Sequence, residues 1–341
     1  MTEWSAQGAE LWLRRGRQWE ALGGEGELAE AVQCYDRAIA ALHRAGPGGA
    51  AHARELGVAW MNRGNGLRKL AAPAQLAEAV RAYDEAIALL RTLPPAADAD
   101  DCKRLGAAWM NRGLTLHRQG EAAEAVRSQR EAVAVLRIPS LDGHPWLRRN
   151  LAAAWMNLAN ALLDSREAER AALARAAAKE ALALTGPQEE TDVLAAEIGL
   201  KARRALCDAI GGLLGGEAAA GPAAELAAEA ADAVDEGLAR AGRWEARDGG
   251  RELRTAAARL FHFGAQLCRI HQPHFLAEFL LEHLEGEGPP DASRLAVAAD
   301  ALAQALRALR AAPGPFVAGT ATDRQLETWR ALHAAAARVA L

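Results

Sequence analysis

Apolar and small residues recur along the chain at steps of three and four, the spacing of one face of an α-helix. Four stretches repeat the same order of large, small and large residues: Trp12-Gly16-Trp19, Trp60-Gly64-Leu67, Trp109-Gly113-Leu116 and Trp155-Ala159-Leu162. Each predicts a helix whose apolar stripe is core, with the small residue letting a neighbouring helix approach closely. The tryptophans lie 48, 49 and 46 residues apart, which indicates a repeated structural unit.

A second helix is predicted in every unit. In the first three units it covers residues 28–42, 76–90 and 122–136, where small residues alternate with one large residue. In the first of these, Ala31, Tyr35, Ala38 and Leu42 share a face. The fourth unit keeps the spacing but lacks the tyrosine. Breaks rich in Pro and Gly follow the second helix at residues 46–49, 93–95, 138–140 and 186–188.

The unit resembles the tetratricopeptide repeat family, whose pattern places Trp, Leu-Gly and Tyr before a small Ala, an aromatic residue and a second Ala. The third unit matches best, at Trp109, Gly113, Leu116, Gly120, Ala125 and Ala132. Two departures are the replacement of the Leu before the central Gly by Arg15, Arg63 and Arg112, and about three extra turn residues in units one and two. The resemblance covers residues 8–185 and implies an all-α, right-handed α-solenoid of antiparallel helix pairs.

The second half, residues 186–341, loses the tryptophan pattern but keeps helical spacing. Helices are predicted near 189–213, 222–241, 250–271, 274–285, 291–311 and 322–340. We interpret this half as further divergent repeats or as a C-terminal helical cap. Because a stack of repeats needs atypical end units, continuation is favoured over a separate domain.

Composition narrows the class of protein. The chain has 341 residues, a formal net charge of −4 and 51% hydrophobic residues, so a large core is expected and general affinity for nucleic acid or membrane is not. Its four cysteines are widely spaced, which fits a reducing cytoplasm rather than a disulfide framework. The sequence also has neither an apolar leader near Met1 nor a run of apolar residues long enough to span a bilayer.

Repeated asparagines carry the functional prediction. Asn62, Asn111 and Asn157 stand two residues after their tryptophans, about 200° around the helix from the core stripe. Arg14 takes this position in the first unit, so stacked units would align the four side chains as a ladder. A side-chain amide matches the N–H and C=O of an extended peptide, and three poor helix formers in one register need a reason.

The resemblance supports this geometry, because first helices line the concave groove in the family and some members hold peptide backbone with an asparagine here. The predicted peptide-binding face also contains neighbouring amides and cations: Arg17, Asn65, Arg68, Lys69, His117, Arg118 and Asn160. Its basic character would suit an acidic segment. The alternative is structural, with the amides bonded to neighbouring helices or loops.

A cluster of potential metal ligands occurs in the second half, at Cys268, His271, His274 and His283, with His262 and Glu278 nearby. The spacing matches no zinc signature, and Pro273 separates two of the histidines, so packed or solvated histidines are favoured over a metal site. Neither a catalytic nucleophile with its supporting groups nor a phosphate-binding loop is evident in the sequence. No enzyme activity and no cofactor are expected.

The sequence therefore predicts a non-catalytic cytoplasmic scaffold or adaptor that binds an extended, possibly acidic, peptide or protein segment. A structural or regulatory subunit of a larger complex, bound through the convex face or the C-terminal half, is the alternative. A metal-binding or catalytic helical protein centred on Cys268–His283 is a third, less favoured hypothesis.

Overall fold

The computed structural model describes residues 6–46, 48–93, 99–137, 144–167, 169–186, 188–189 and 191–214, and scattered positions from 225 to 240. These residues form α-helices and no strand, as an all-α fold requires. The helices are α1 (Ala6–Leu22), α2 (Glu25–Ala45), α3 (Gly49–Leu70), α4 (Pro73–Leu90), α5 (Ala99–Arg118), α6 (Ala122–Leu136), α7 (Pro145–Asp164), α8 (Arg170–Thr185) and α9 (Val193–Leu214).

The turns inside the first two units are shorter than predicted. α1 and α2 are joined by Gly23 and Gly24, and α3 and α4 by Ala71 and Ala72. The extra residues instead lengthen α2 and α4 by one helical turn, and Pro73 opens α4 at a position where its missing N–H is harmless. The expectation of extra turn residues was therefore wrong, whereas α6 begins and ends where the sequence predicts.

In the first three units, the central glycine of the first helix lies against a large side chain from the second helix of the same unit. A Cβ on Gly64 would lie 2.7 Å from Cε1 of Tyr83, and one on Gly16 would lie 2.5 Å from Cε1 of Tyr35. Both tyrosines are fully buried. The glycines are required because they leave room for these rings, which gives the predicted close approach of the helices its physical cause.

Tryptophan lies at the edge of the core stripe and joins neighbouring units. Trp60 is half-buried and packs both against a cluster containing Tyr35 and Ala59 and against a second cluster containing Ile87 and Ala108. Helices pack in sequence order from α1 to α7, so α3 and α5 each contact the second helices before and after them. One indole thereby links two consecutive packing clusters.

The unexpected arginines tie consecutive units together. Arg63 of α3 donates to Asp36 of α2 at 2.6 Å, and the equivalent Arg112 of α5 donates to Asp84 of α4 at 2.7 Å. Each arginine also reaches a glutamate of its own second helix. We call each Arg–Asp pair an inter-unit clip.

The clip is absent from the next junction because both partners change together. Arg130 of α6 stands where the earlier units have aspartate, and Leu158 of α7 stands where they have arginine. Leu158 is only 4% exposed, so apolar packing takes the place of the ion pair. Arg130 pairs instead with Glu167 at 2.7 Å.

Asp101 at the start of α5 gives stability that depends on pH. It accepts from Arg54 of α3 at 2.8 Å, and this hydrogen bond holds the pKa of the Asp101 carboxyl below its usual range. A lowered pKa means that the contribution is present above the unfolded pKa of about 3.9 and is lost as pH falls through the folded value.

We expect Asp101→Asn to lower the free energy of unfolding at pH 7 by about 1–2 kcal/mol, because a charge-assisted bond is removed. The difference from the unsubstituted protein should shrink as pH falls below about 4. Urea unfolding followed by circular dichroism from pH 7 to pH 3 measures this. A constant difference over that range would contradict the assignment.

The described residues fall into two compact regions, which are larger than the repeat units, and the first region ends at Glu167. This boundary lies between α7 and α8, inside the predicted fourth repeat. In the second compact region α8 packs on α9, and described positions between 225 and 240 are helical. Of the other second-half predictions, the helix at 189–213 corresponds to α9, and those from 250 onward lie outside the described residues.

A buried ionic cluster is the main polar feature of the second compact region. Glu189 is fully buried and accepts from Thr185 at 2.8 Å and from Arg203 at 2.9 Å. Its other oxygen pairs with Arg240 at 2.8 Å, and Arg203 also reaches Glu236 at 3.2 Å. These contacts join the α8–α9 turn, α9 and the segment beyond it.

Among the described residues, none of the helices has the length and apolar character needed to cross a membrane.

Candidate functional site

The predicted binding face lies on the odd-numbered helices. α1 lies beside α3, α3 beside α5, and α5 beside α7, so equivalent positions of successive units come close together. At each junction the eighth residue after the tryptophan of one unit contacts the ninth residue after the tryptophan of the next unit. The predicted site residues of neighbouring units are thus within reach of each other.

Two of the predicted asparagines bind each other. Asn111 of α5 donates from Nδ2 to Oδ1 of Asn65 on α3 at 3.0 Å. The same oxygen accepts the hydroxyl of Tyr83 at 2.9 Å, and Nε of Arg68 lies 3.4 Å from that hydroxyl. Four polar side chains therefore form one network across the second and third units, as the structural alternative anticipated for these residues.

Asn62 differs from Asn111. Its Nδ2 is buried and has no hydrogen-bond partner among the described residues. The register that places Asn111 against Asn65 places Asn62 level with Arg17, which supplies donors and no acceptor. A buried amide donor without an acceptor is unfavourable, so this position would gain from an added oxygen.

The fourth-unit amides occupy a more apolar surrounding. Asn157 is half-buried, and the residue level with it in the third unit is Leu114. Within the described part of the chain its side chain makes no hydrogen bond. Asn160 makes only a weak contact, from Nδ2 to Sδ of Met156 at 3.3 Å.

Several predicted cations have partners inside the protein. Lys69 pairs with Glu20 at 2.8 Å, and His117 lies 2.6 Å from Asp164. Arg118 donates to the backbone oxygen of Arg68 at 3.3 Å. These contacts occur at equivalent positions of three consecutive junctions and reduce the positive charge that Lys69 and His117 offer to a ligand.

The first unit keeps its predicted cations exposed. Arg14 and Arg17 are both exposed on α1, and the described residues include no ion-pair partner of either. Among the predicted cations, those that are exposed and face no carboxylate of the described residues therefore lie at the first unit, beside Asn62, and at Arg118 of the third unit.

The tyrosines at this face stay neutral. Burial raises the pKa of Tyr83 to about 12, against a smaller opposing effect of Arg68. Burial also raises the pKa of Tyr35, which donates to the Glu20 carboxylate at 2.7 Å. Both hydroxyls therefore act as hydrogen-bond donors that fix their neighbours in place.

The predicted metal candidates Cys268, His271, His274 and His283 lie outside the described residues. In the described portion, no group of three or more His, Cys, Asp or Glu side chains could hold a metal ion.

Sequence reasoning missed the carboxylates of Glu20 and Asp164, which contact the predicted ligand-binding side chains Lys69 and His117. Glu20 stands eight residues after Trp12, and Lys69 stands nine after Trp60. Opposite charges at adjacent positions of consecutive units were a signal that comparing the repeats by junction, rather than by unit, would have revealed. The inter-unit clips carry the same signal.

No model of a known protein family matches the chain, and no curated protein matches it.

Proposed function

We propose that the chain is a non-catalytic, tetratricopeptide-like α-solenoid that binds an extended peptide or protein segment along its odd-numbered helices. The observation that carries the proposal is the buried Nδ2 of Asn62, which lacks an acceptor. A peptide carbonyl or carboxylate oxygen would supply it once the side chains that cover this nitrogen move aside on binding. The right-handed solenoid is part of the proposal. Helices packed in sequence order, with odd helices beside one another, support a solenoid, and its right hand is what the resemblance to tetratricopeptide repeats implies.

Recognition is uneven along the face. Asn62 and Asn157 have amides that make no hydrogen bond with described residues, whereas Asn111 already donates one of its two N–H groups to Asn65. Asn111 keeps a second N–H and an oxygen for a ligand. Ligand contacts are therefore concentrated at the first-to-second and third-to-fourth junctions, with weaker contact between.

Charge favours an acidic end of the ligand at the first unit. Arg14 and Arg17 are exposed beside Asn62, whereas Lys69 and His117 face carboxylates. An acidic residue near the first unit, followed by a segment read mainly through its backbone, fits this distribution.

The test uses peptides selected by the full chain from a displayed library of extended sequences, with affinities measured by isothermal titration calorimetry. We expect Asn62→Ala to weaken binding about tenfold, because the ligand oxygen loses its buried donor. Replacing Asn62, Asn111 and Asn157 together by Ala should remove measurable binding.

The control is Gln33→Ala, which removes an exposed amide from the even-numbered α2 and should leave affinity unchanged. Circular dichroism checks that each variant remains folded. Full affinity in the triple variant would refute the proposed peptide-binding face.

A further inference from the structure

The outer face of α1 is equivalent to the face that later units use to dock on their predecessors. In α3 this face contains Ala59, which is fully buried, Arg63, which binds Asp36, and Gly66, whose Cα-side space is filled by Val32 of α2. The equivalent residues of α1 are Leu11, Arg15 and Gln18, and Leu22 extends the same face at the position of Leu70. They are all exposed, so no described element covers this face.

Arg15 is held in the same position as the arginines of the inter-unit clips. Its guanidinium carbon lies 5.7 Å from the ring centre of Trp12, compared with 5.8 Å for Arg63 over Trp60 and 5.7 Å for Arg112 over Trp109. The latter two each bind an aspartate of an adjoining helix. The described residues include no such carboxylate for Arg15.

The local charge favours an anionic partner. A second guanidinium, that of Arg37, lies 4.6 Å from the ring centre of Trp12, and Arg14 is exposed on α1. Two cations sharing one indole make a carboxylate more favourable here than at an isolated arginine.

Two exposed leucines flank Arg15. Leu11 is 51% exposed and Leu22 is 68% exposed, and their separation of eleven residues places them on one side of the helix, about 16 Å apart. Units two to four have Ala59, Ala108 and Ala154 at the position of Leu11, all fully buried. Leu11 is thus larger and more apolar than the alanines at this position in the later units. A helix that docks on α1 therefore needs a smaller residue where it contacts Leu11.

We propose that this face binds an amphipathic α-helix of a partner protein, which presents an aspartate or glutamate to Arg15. Aliphatic or small side chains of that helix pack on Leu11 and Leu22. The contact reproduces the inter-unit clip between two molecules. It is separate from the proposed peptide-binding face, so either can exist without the other.

The probe is a fluorescent peptide with the sequence of residues 25–45, the α2 helix that carries the clip aspartate Asp36. Two changes make room for the larger residues of α1. Val32→Ala relieves contact with Gln18, since Val32 fills the space beside Gly66. Ile39→Ala relieves contact with Leu11, since Ile39 belongs to the cluster around Ala59.

Fluorescence anisotropy with the full chain should show saturable binding. Arg15→Ala should weaken it about tenfold, and Arg81→Ala, which removes an exposed arginine of α4 away from this face, should alter it less than twofold. Asp36→Asn in the peptide should cause a similar loss with the unsubstituted chain and little further loss with Arg15→Ala.

Equal effects of Arg81→Ala and Arg15→Ala, or no saturable binding below about 1 mM, a limit near −4 kcal/mol, would overturn the proposal. Sedimentation equilibrium of the chain alone tests the other occupant. Self-association that Arg15→Ala abolishes would identify a second copy of the chain in place of a partner helix, and a monomer supports the partner.

Discussion

Glu189→Ala is expected to lower the stability of the second compact region by about 3–5 kcal/mol, because it leaves the buried guanidinium of Arg203 without its main counter-ion. The side chains of Glu189 and Arg203 are 0% and 4% exposed. After the substitution, the carboxylate that Arg203 retains among the described residues is that of Glu236, whose side chain is 63% exposed. Arg240 and Thr185 lose their acceptor at the same time.

Hydrogen exchange of the α9 backbone amides measures this effect locally, since faster exchange reports the lower free energy of opening. The matched control is Glu131→Ala, which breaks an ion pair with Arg91 in which both side chains are about half exposed. We expect this control to change stability by less than about 0.5 kcal/mol. Similar losses in the two variants would show that burial does not set the contribution of Glu189.

Gly64→Ala is expected to destabilise the first compact region, which ends at Glu167, by about 1–3 kcal/mol, even though alanine is the better helix former. The added Cβ would lie 2.7 Å from the Tyr83 ring. Tyr83 cannot move freely, because its hydroxyl is bonded to Asn65 and its ring is fully buried. Urea unfolding followed by circular dichroism gives the free energy.

Gly26→Ala provides a control of opposite sign. Gly26 lies in α2, and nothing stands within 4 Å of where its Cβ would be. This change should stabilise the protein by about 0.5–1 kcal/mol. Adding Tyr83→Leu to Gly64→Ala should make the combined loss smaller than the sum of the two single losses, because the second change removes the clash. Additive losses would exclude the ring contact as the cause.

Local spacing predicted the helices well. The stripe of Trp60, Gly64 and Leu67 identified α3 and its packed side, because helical periodicity depends on neighbours three and four residues away. The period of 46–49 residues, which is longer than the family's, left open whether the helices or the linkers are longer. The turn between α1 and α2 was misjudged because Glu25, Gly26 and Glu27 carry no apolar signal, yet they continue the helix.

The candidate site was harder to predict because its contacts join residues almost fifty positions apart. Asn111 finds Asn65, and Lys69 finds Glu20, only when units are stacked. The sequence located the face on which Asn62 lies but could not distinguish Asn62, whose amide lacks an acceptor, from Asn111, which has one. That difference depends on Arg17 and Asn65 occupying equivalent positions in neighbouring units.

The inter-unit clips also bear on how such a chain can grow. The second unit presents Arg63 to the unit before it and Asp84 to the unit after it, so its two ends are complementary to each other. A tandem duplication of this unit would create a new junction with the same pair and no mismatched charge. The Leu158 side of the fourth unit lacks this compatibility, because an aspartate placed against it would face a leucine and would lose the ion pair. The second unit is therefore a module from which the array can lengthen by gene duplication, whereas the third-to-fourth junction marks where such lengthening stops.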